Sequence, residues 1–148
     1  MSKKVELFIL DLFTGIIGLG FGIIVPFMIS FMIQMASIDM PREQQVAREF
    51  LPLFLVSIIA SVCLGFVIQI YKEVPPLAVF YVGFNAAFIW WLYLGAQLPD
   101  ADGNGTMYQL LLTVHLVLAG LLLIMTLASK VKFVIDKARP GLVTDEKD

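Results

Sequence analysis

The chain has 148 residues, of which 59% are hydrophobic and only 15% are charged, and its net charge is −2. Soluble domains carry about 25% charged residues, so this composition predicts a surface that faces mainly lipid. The net charge gives no case for binding nucleic acid. The single cysteine, Cys63, excludes a disulfide within the chain and any paired-cysteine zinc motif. Because no polar stretch is long enough to form a soluble catalytic module, we expect one integral membrane domain over residues 1–148, without enzymatic activity or a cofactor.

Four apolar segments have the length of about 20 residues that a membrane-spanning helix needs. They cover residues 7–36, 50–70, 77–98 and 108–129, and a basic tail follows over 130–148. The first segment is longer than one perpendicular crossing requires. Pro26 lies inside it and cannot donate to the carbonyl of Gly22, which predicts a kink there. Pro41 predicts the start of a short surface helix over residues 42–49. The sequence therefore predicts an all-α bundle of four transmembrane helices.

The orientation of such a bundle follows from the basic residues near the ends of its spans. An even number of spans places both termini and the middle loop on one side. That side holds eight basic residues, and the other side holds two. The eight are Lys3, Lys4, Lys72, Lys130, Lys132, Lys137, Arg139 and Lys147, and the two are Arg42 and Arg48. We therefore expect both termini in the cytoplasm, in what we take to be a bacterial inner membrane.

Small residues recur every four positions on the first two spans. Thr14, Gly18 and Gly22 form one stripe, and Ser57, Ser61 and Gly65 form another. Such stripes let helix backbones approach closely in lipid, where hydrophobic association is weak. They predict a helix-packing interface, which lies either within the chain or between subunits.

Polar side chains inside the spans are costly and are therefore candidates for function. Asp11, Asn85 and His115, together with Ser57 and Ser61, are predicted to lie at successive depths across the bilayer. One interpretation is a ladder that conducts protons or small ions. The alternative is that each side chain makes structural hydrogen bonds, with Asp11 close enough to the interface to contact Lys3, Lys4 or lipid headgroups.

Metal and haem sites find little support in the sequence. Asp100, Asp102 and Asn104 match the first half of a calcium loop, but position twelve is Leu111 where a glutamate is required. Carboxylates from the preceding loop, such as Asp39, Glu43 or Glu49, would have to complete such a site.

The one histidine excludes haem ligation by two histidines within one chain, although two copies of His115 in a dimer would supply it.

Two functional hypotheses remain. The first is an accessory, assembly or regulatory subunit of a larger membrane complex, in contact with lipid and with other subunits or with copies of itself. The second is a small homo-oligomeric channel or carrier that uses the polar ladder. The two differ in whether the ladder is bonded within the bundle or lines a hydrated cavity.

Overall fold

The computed structural model describes residues 3–98 and 104–138. Within these residues the chain forms five helices and no strand. They are α1 (Lys3–Ala36), α2 (Arg42–Gly65), α3 (Val67–Glu73), α4 (Pro75–Ala96) and α5 (Asn104–Ala138). In the part of the chain so described, α1, α2, α4 and α5 are long and apolar enough to cross a membrane. The prediction of an all-helical fold with four membrane-length helices is confirmed.

The second membrane helix differs from its predicted limits at both ends. The charged stretch expected as a separate surface helix forms the first two turns of α2, which continues through Pro52 to Gly65. A short break at Phe66 separates α2 from α3, which contains the remainder of the predicted span. Glutamate, glutamine, alanine and arginine favour helix, so the polar segment extends the apolar one without interruption.

Helix α4 contacts all the other helices of the described structure, and its largest contact is with α1. The two backbones touch because glycines line the contact. A Cβ atom on Gly18 would overlap the carbonyl oxygen of Phe80, and one on Gly22 would overlap that of Phe84. Neither carbonyl can move away without breaking the helix, so only glycine allows this approach.

The apolar core lies where α2, α4 and α5 meet, in the half of the bundle nearest the connection between α1 and α2. Its fully buried side chains include Leu53, Phe88, Leu92 and Leu111. Toward the other half of the bundle, the contact between α2 and α5 becomes polar. The core therefore borders the site described next.

Candidate functional site

Two serines on α2 and the histidine on α5 form a buried polar cluster, which we call the histidine cluster: Ser57, Ser61 and His115. All three side chains have 0% exposure. The hydroxyl oxygens of Ser57 and Ser61 each lie 3.1 Å from Nδ1 of His115. Four-residue spacing places the two serines one above the other on α2, so both reach the same ring nitrogen.

The hydroxyl of Ser61 also contacts two backbone carbonyl oxygens, at 2.7 Å on Ser57 and at 3.2 Å on His115. A serine hydroxyl has one proton to donate and two lone pairs with which to accept. When Ser61 donates that proton to a carbonyl oxygen, its own oxygen can accept a hydrogen bond from Nδ1–H of His115. When Ser57 instead donates to Nδ1, the imidazole carries its proton on Nε2. Either tautomer of a neutral imidazole connects α2 to α5.

The other face of the histidine is apolar. The ring of Phe88 meets it edge-on, with 5.4 Å between ring centroids. Nε2 of His115 is buried and has no hydrogen-bond partner among the described residues. The Ser–His contact has the geometry of a nucleophile and its base, but complete burial leaves no room beside it for a substrate.

Asn85 and Asp11 make no hydrogen bond to the histidine cluster. Asn85 on α4 is 1% exposed and donates from Nδ2 to the carbonyl oxygen of Tyr81 at 2.8 Å, while its Oδ1 is buried without a described partner. Asp11 is partly exposed on α1, and Thr14 donates to its backbone carbonyl at 2.9 Å. Three members of the predicted ladder therefore bond to one another, and Asn85 and Asp11 do not bond to them.

The glycines among the small residues predicted to form a packing interface face other helices of the same chain. Gly18 and Gly22 lie against α4, and a Cβ atom on Gly65 would overlap Leu122 of α5. The hydroxyl of Thr126 donates to the carbonyl oxygen of Gly65 at 3.2 Å and to that of Leu122 at 2.8 Å. The glycine of this second stripe thus permits the contact between α2 and α5.

A second polar site lies toward the connection between α1 and α2, and it was not among the predicted sites. Its centre is Glu49 on α2, which is only 4% exposed. Nε2 of Gln34 donates to Oε1 of Glu49 at 3.0 Å. Ser30 and Tyr108 lie beside the carboxylate, on α1 and α5. We call these four residues the Glu49 site.

The sequence did contain a signal for this site. Glu49, Leu53, Ser57, Ser61 and Gly65 recur every four residues, so they lie along one face of α2. All five are buried. Extending the serine stripe backward by two turns would have placed Glu49 on the face that packs against α5.

A groove between α1 and α4 holds the remaining carboxylate of interest. It has a volume of about 390 Å³, and Asp11 is the one ionisable residue that lines it. Its other lining residues are apolar, and they are Phe8, Leu12, Gly15, Ile16, Leu19, Val79, Val82, Gly83 and Ala86. The Asp11 carboxylate forms no ion pair with Lys3 or Lys4, and no hydrogen bond to a described side chain. The contact with lysine that the sequence suggested is thus absent from the described residues.

The calcium-like turn falls largely outside the described residues, which exclude Asp100 and Asp102; Asn104 is described only as the first residue of α5. Within residues 3–98 and 104–138, no group of three histidine, cysteine, aspartate or glutamate side chains is placed to hold a metal ion.

Comparison with protein-family models, with curated proteins and with solved structures finds no match to this chain.

Proposed function

We propose that the chain is an accessory, assembly or regulatory subunit of a larger membrane complex and that it acts through contacts between helices. The proposed arrangement has both termini in the cytoplasm of a bacterial cell, as the bias of basic residues favours. The proposed arrangement also includes a bend in α1 at Pro26, which lies inside the helix and removes one backbone hydrogen bond there.

The observation that carries this proposal is the position of Asp11. A carboxylate within a membrane-spanning helix is costly unless it is paired or solvated. Asp11 lies in the groove between α1 and α4 with no ion-pair partner among the described residues. Ala86, a small exposed residue on the α4 side of the groove, leaves room for a further helix beside it. The occupant we propose is a transmembrane helix of another subunit that brings a basic or amide side chain to the depth of Asp11.

The interior of the bundle supports the same proposal. The histidine cluster is bonded within the chain, and the glycine stripes are occupied by contacts between the chain's own helices. The outward helix faces therefore remain as the surface on which the protein acts. Those faces are apolar, with large exposed side chains along α1, which suits contact with lipid or with another membrane helix.

Site-specific crosslinking in native membranes tests the proposed contact. A photoreactive residue at Leu12 or Val82, which are exposed in the groove, should crosslink to one discrete partner. The same residue at Leu121, which is exposed on α5 and does not line the groove, serves as the control. Asp11→Asn should weaken the crosslink. Glu6→Gln, which removes an exposed carboxylate from the same helix, should not. A crosslink equally strong at Leu121, or none at the groove positions, would count against the proposal.

A second candidate function is a homo-oligomeric channel or carrier for protons or ions. Two buried polar atoms favour it, Nε2 of His115 and Oδ1 of Asn85, because neither has a partner among the described residues. Intramembrane groups with free hydrogen-bonding capacity occur along proton relays. Ion flux into liposomes that falls in His115→Ala and Asp11→Asn would support this function. Wild-type flux at the background level would contradict it.

A further inference from the structure

A second groove, the α2–α5 groove, lies at the end of the bundle nearest the connection between α1 and α2. Its volume is about 490 Å³, within the range of roughly 300–1,000 Å³ that is common for ligand sites. Glu43, Val46, Ala47 and Phe50 line it on α2, and Thr106, Met107 and Leu110 line it on α5. None of these residues lines the groove that holds Asp11, so this surface is separate from the one assigned to a partner helix.

The α2–α5 groove spans the layer in which lipid headgroups lie. The polar start of α2 ends at Glu49, and its apolar part begins at Phe50. Glu43 lies two turns of helix before Phe50, a rise of about 10 Å. The headgroup region of a bilayer is about 5–8 Å thick on each side of the hydrocarbon core. A molecule that fills the groove therefore has one end among the headgroups and the other among the lipid chains.

The lining of the groove changes from charged to apolar along the same path. The exposed Glu43 carboxylate lies at the outer end and forms no ion pair with another described residue. Phe50 lies at the inner end and stacks on Phe54, with 5.5 Å between ring centroids, so apolar surface continues along α2. On α5, Leu110 is 51% exposed, which opens the inner end to lipid. A phospholipid presents its groups in the same order, a polar head followed by a hydrocarbon chain.

The charge of the lining discriminates between headgroups. Among the described residues, Glu43 is the one ionisable side chain that lines the groove. Arg42, its neighbour in the chain, lines the separate cavity beside Glu49 and attracts that carboxylate instead. A carboxylate attracts an ammonium group and accepts hydrogen bonds from it, whereas it repels a headgroup with a net negative charge. The groove therefore favours a lipid with an ammonium headgroup.

We propose that the α2–α5 groove binds a phospholipid whose headgroup carries a primary ammonium group, with phosphatidylethanolamine as the probe. Glu43 accepts hydrogen bonds from the ammonium, and Phe50 and Leu110 contact the upper part of an acyl chain. Because an exposed charge pair contributes little free energy, the selectivity between lipids is a few-fold.

Photolabelling of the purified full-length protein in a non-ionic detergent tests this proposal. Phosphatidylethanolamine and phosphatidylglycerol that carry the same photoreactive acyl chain are compared at equal concentration, and peptide mass spectrometry locates the label. Label in the segments around Phe50 and Leu110 should be about threefold to fivefold higher with phosphatidylethanolamine. Mapping the label excludes lipid bound to the basic residues at the opposite end of the bundle. Equal labelling of these two segments by both lipids would overturn the proposal.

Charge variants test the role of the carboxylate. Glu43→Gln should remove the preference for phosphatidylethanolamine. Asp39→Asn removes an exposed carboxylate at the same end of the bundle but outside the groove, so it should leave the preference unchanged. Asp11→Asn should also leave it unchanged, which separates this test from that of the proposed partner helix. A preference that survives Glu43→Gln would contradict the assignment of the headgroup to Glu43.

A steric variant tests the position of the chain. Ala47 is exposed and lines the groove, so Ala47→Trp should fill the space and lower labelling by both lipids several-fold. Leu51→Trp is the control, because Leu51 is exposed on the same helix and does not line the groove. Labelling that is unaffected by Ala47→Trp would place the lipid elsewhere.

Crosslinking in native membranes distinguishes a lipid from a protein in the groove. A photoreactive residue at Ala47 should add the mass of a phosphatidylethanolamine molecule to the peptide that contains it. Capture of one discrete protein at this position would overturn the proposal and assign the groove to a contact between subunits.

Discussion

The hydroxyl of Ser61 reaches both the ring and the backbone of His115, at 3.1 Å from Nδ1 and 3.2 Å from the carbonyl oxygen. One small side chain thereby fixes the rotation of the histidine and the position of α5 against α2. This arrangement accounts for a histidine inside a membrane bundle without assigning it a catalytic role. It also predicts which substitutions weaken the fold.

His115→Ala should destabilise the bundle by about 2–4 kcal/mol, because it leaves a cavity and removes the partner of two buried hydroxyl groups. Val117→Ala, which truncates a lipid-facing side chain two residues further along α5, should cost under about 0.5 kcal/mol. Reversible unfolding in mild detergent measures both values. Equal stability of the two variants would show that the histidine cluster does not hold α2 and α5 together.

Gly18→Leu should disrupt the fold, whereas Gly20→Leu should be tolerated. A Cβ atom on Gly18 meets the backbone of Phe80, but one on Gly20 meets nothing within 4 Å. Overpacking of this kind costs about 1–3 kcal/mol or more, and a backbone atom cannot turn aside as a side chain can. Thermal unfolding and gel filtration of both variants measure the difference. A stable Gly18→Leu monomer that has lost self-association would instead assign this stripe to a subunit interface.

Thr126→Val should cost about 0.6 kcal/mol, the average for a side-chain hydrogen bond within a membrane protein. The Thr126 hydroxyl contacts the carbonyl oxygen of Gly65 on α2 as well as that of Leu122 on its own helix. Thr113→Val is the matched control, because the exposed Thr113 hydroxyl bonds only to Gln109 of its own helix. Denaturant titration should show the larger loss for Thr126→Val, and the reverse order would contradict the proposed link between α2 and α5.

The orientation is testable with cysteine substitutions in a Cys63→Ala background. Asp39→Cys lies between α1 and α2, and Glu73→Cys lies at the end of α3, with both positions exposed. An impermeant maleimide applied to intact cells should label the first and should reach the second only after the membrane is opened. The opposite pattern would reverse the proposed orientation.

The helices were largely predictable, because apolar runs of about 20 residues have few alternatives in lipid. The start of α2 was less predictable. Arg42 and its charged neighbours suggest a surface segment, yet they continue the same helix and carry Glu49 into the bundle. The charge of Glu49 suggests an exposed position, but Glu49 is in register with the buried stripe of α2 and is itself buried.

The depth of each site residue along its helix was more predictable than the direction in which its side chain faces. Counting along the helices placed Ser57 at the level of His115 and Ser61 at the level of Asn85, whereas the structure brings both serines to His115. The same count said nothing about rotation around each helix axis, which packing between helices decides. For that reason Asp11 was grouped with the ladder, whereas the structure places it in the outer groove between α1 and α4.

The central claim is that this protein works as a subunit of a larger membrane complex, and native mass spectrometry after gentle extraction from its own membrane tests that claim most directly. We predict that the wild-type chain co-purifies with a different membrane protein in a fixed ratio. Asp11→Asn should lower the occupancy of that complex, while Glu6→Gln should leave it unchanged. A homogeneous homo-oligomer without any other subunit would contradict the claim and would favour the transport function instead.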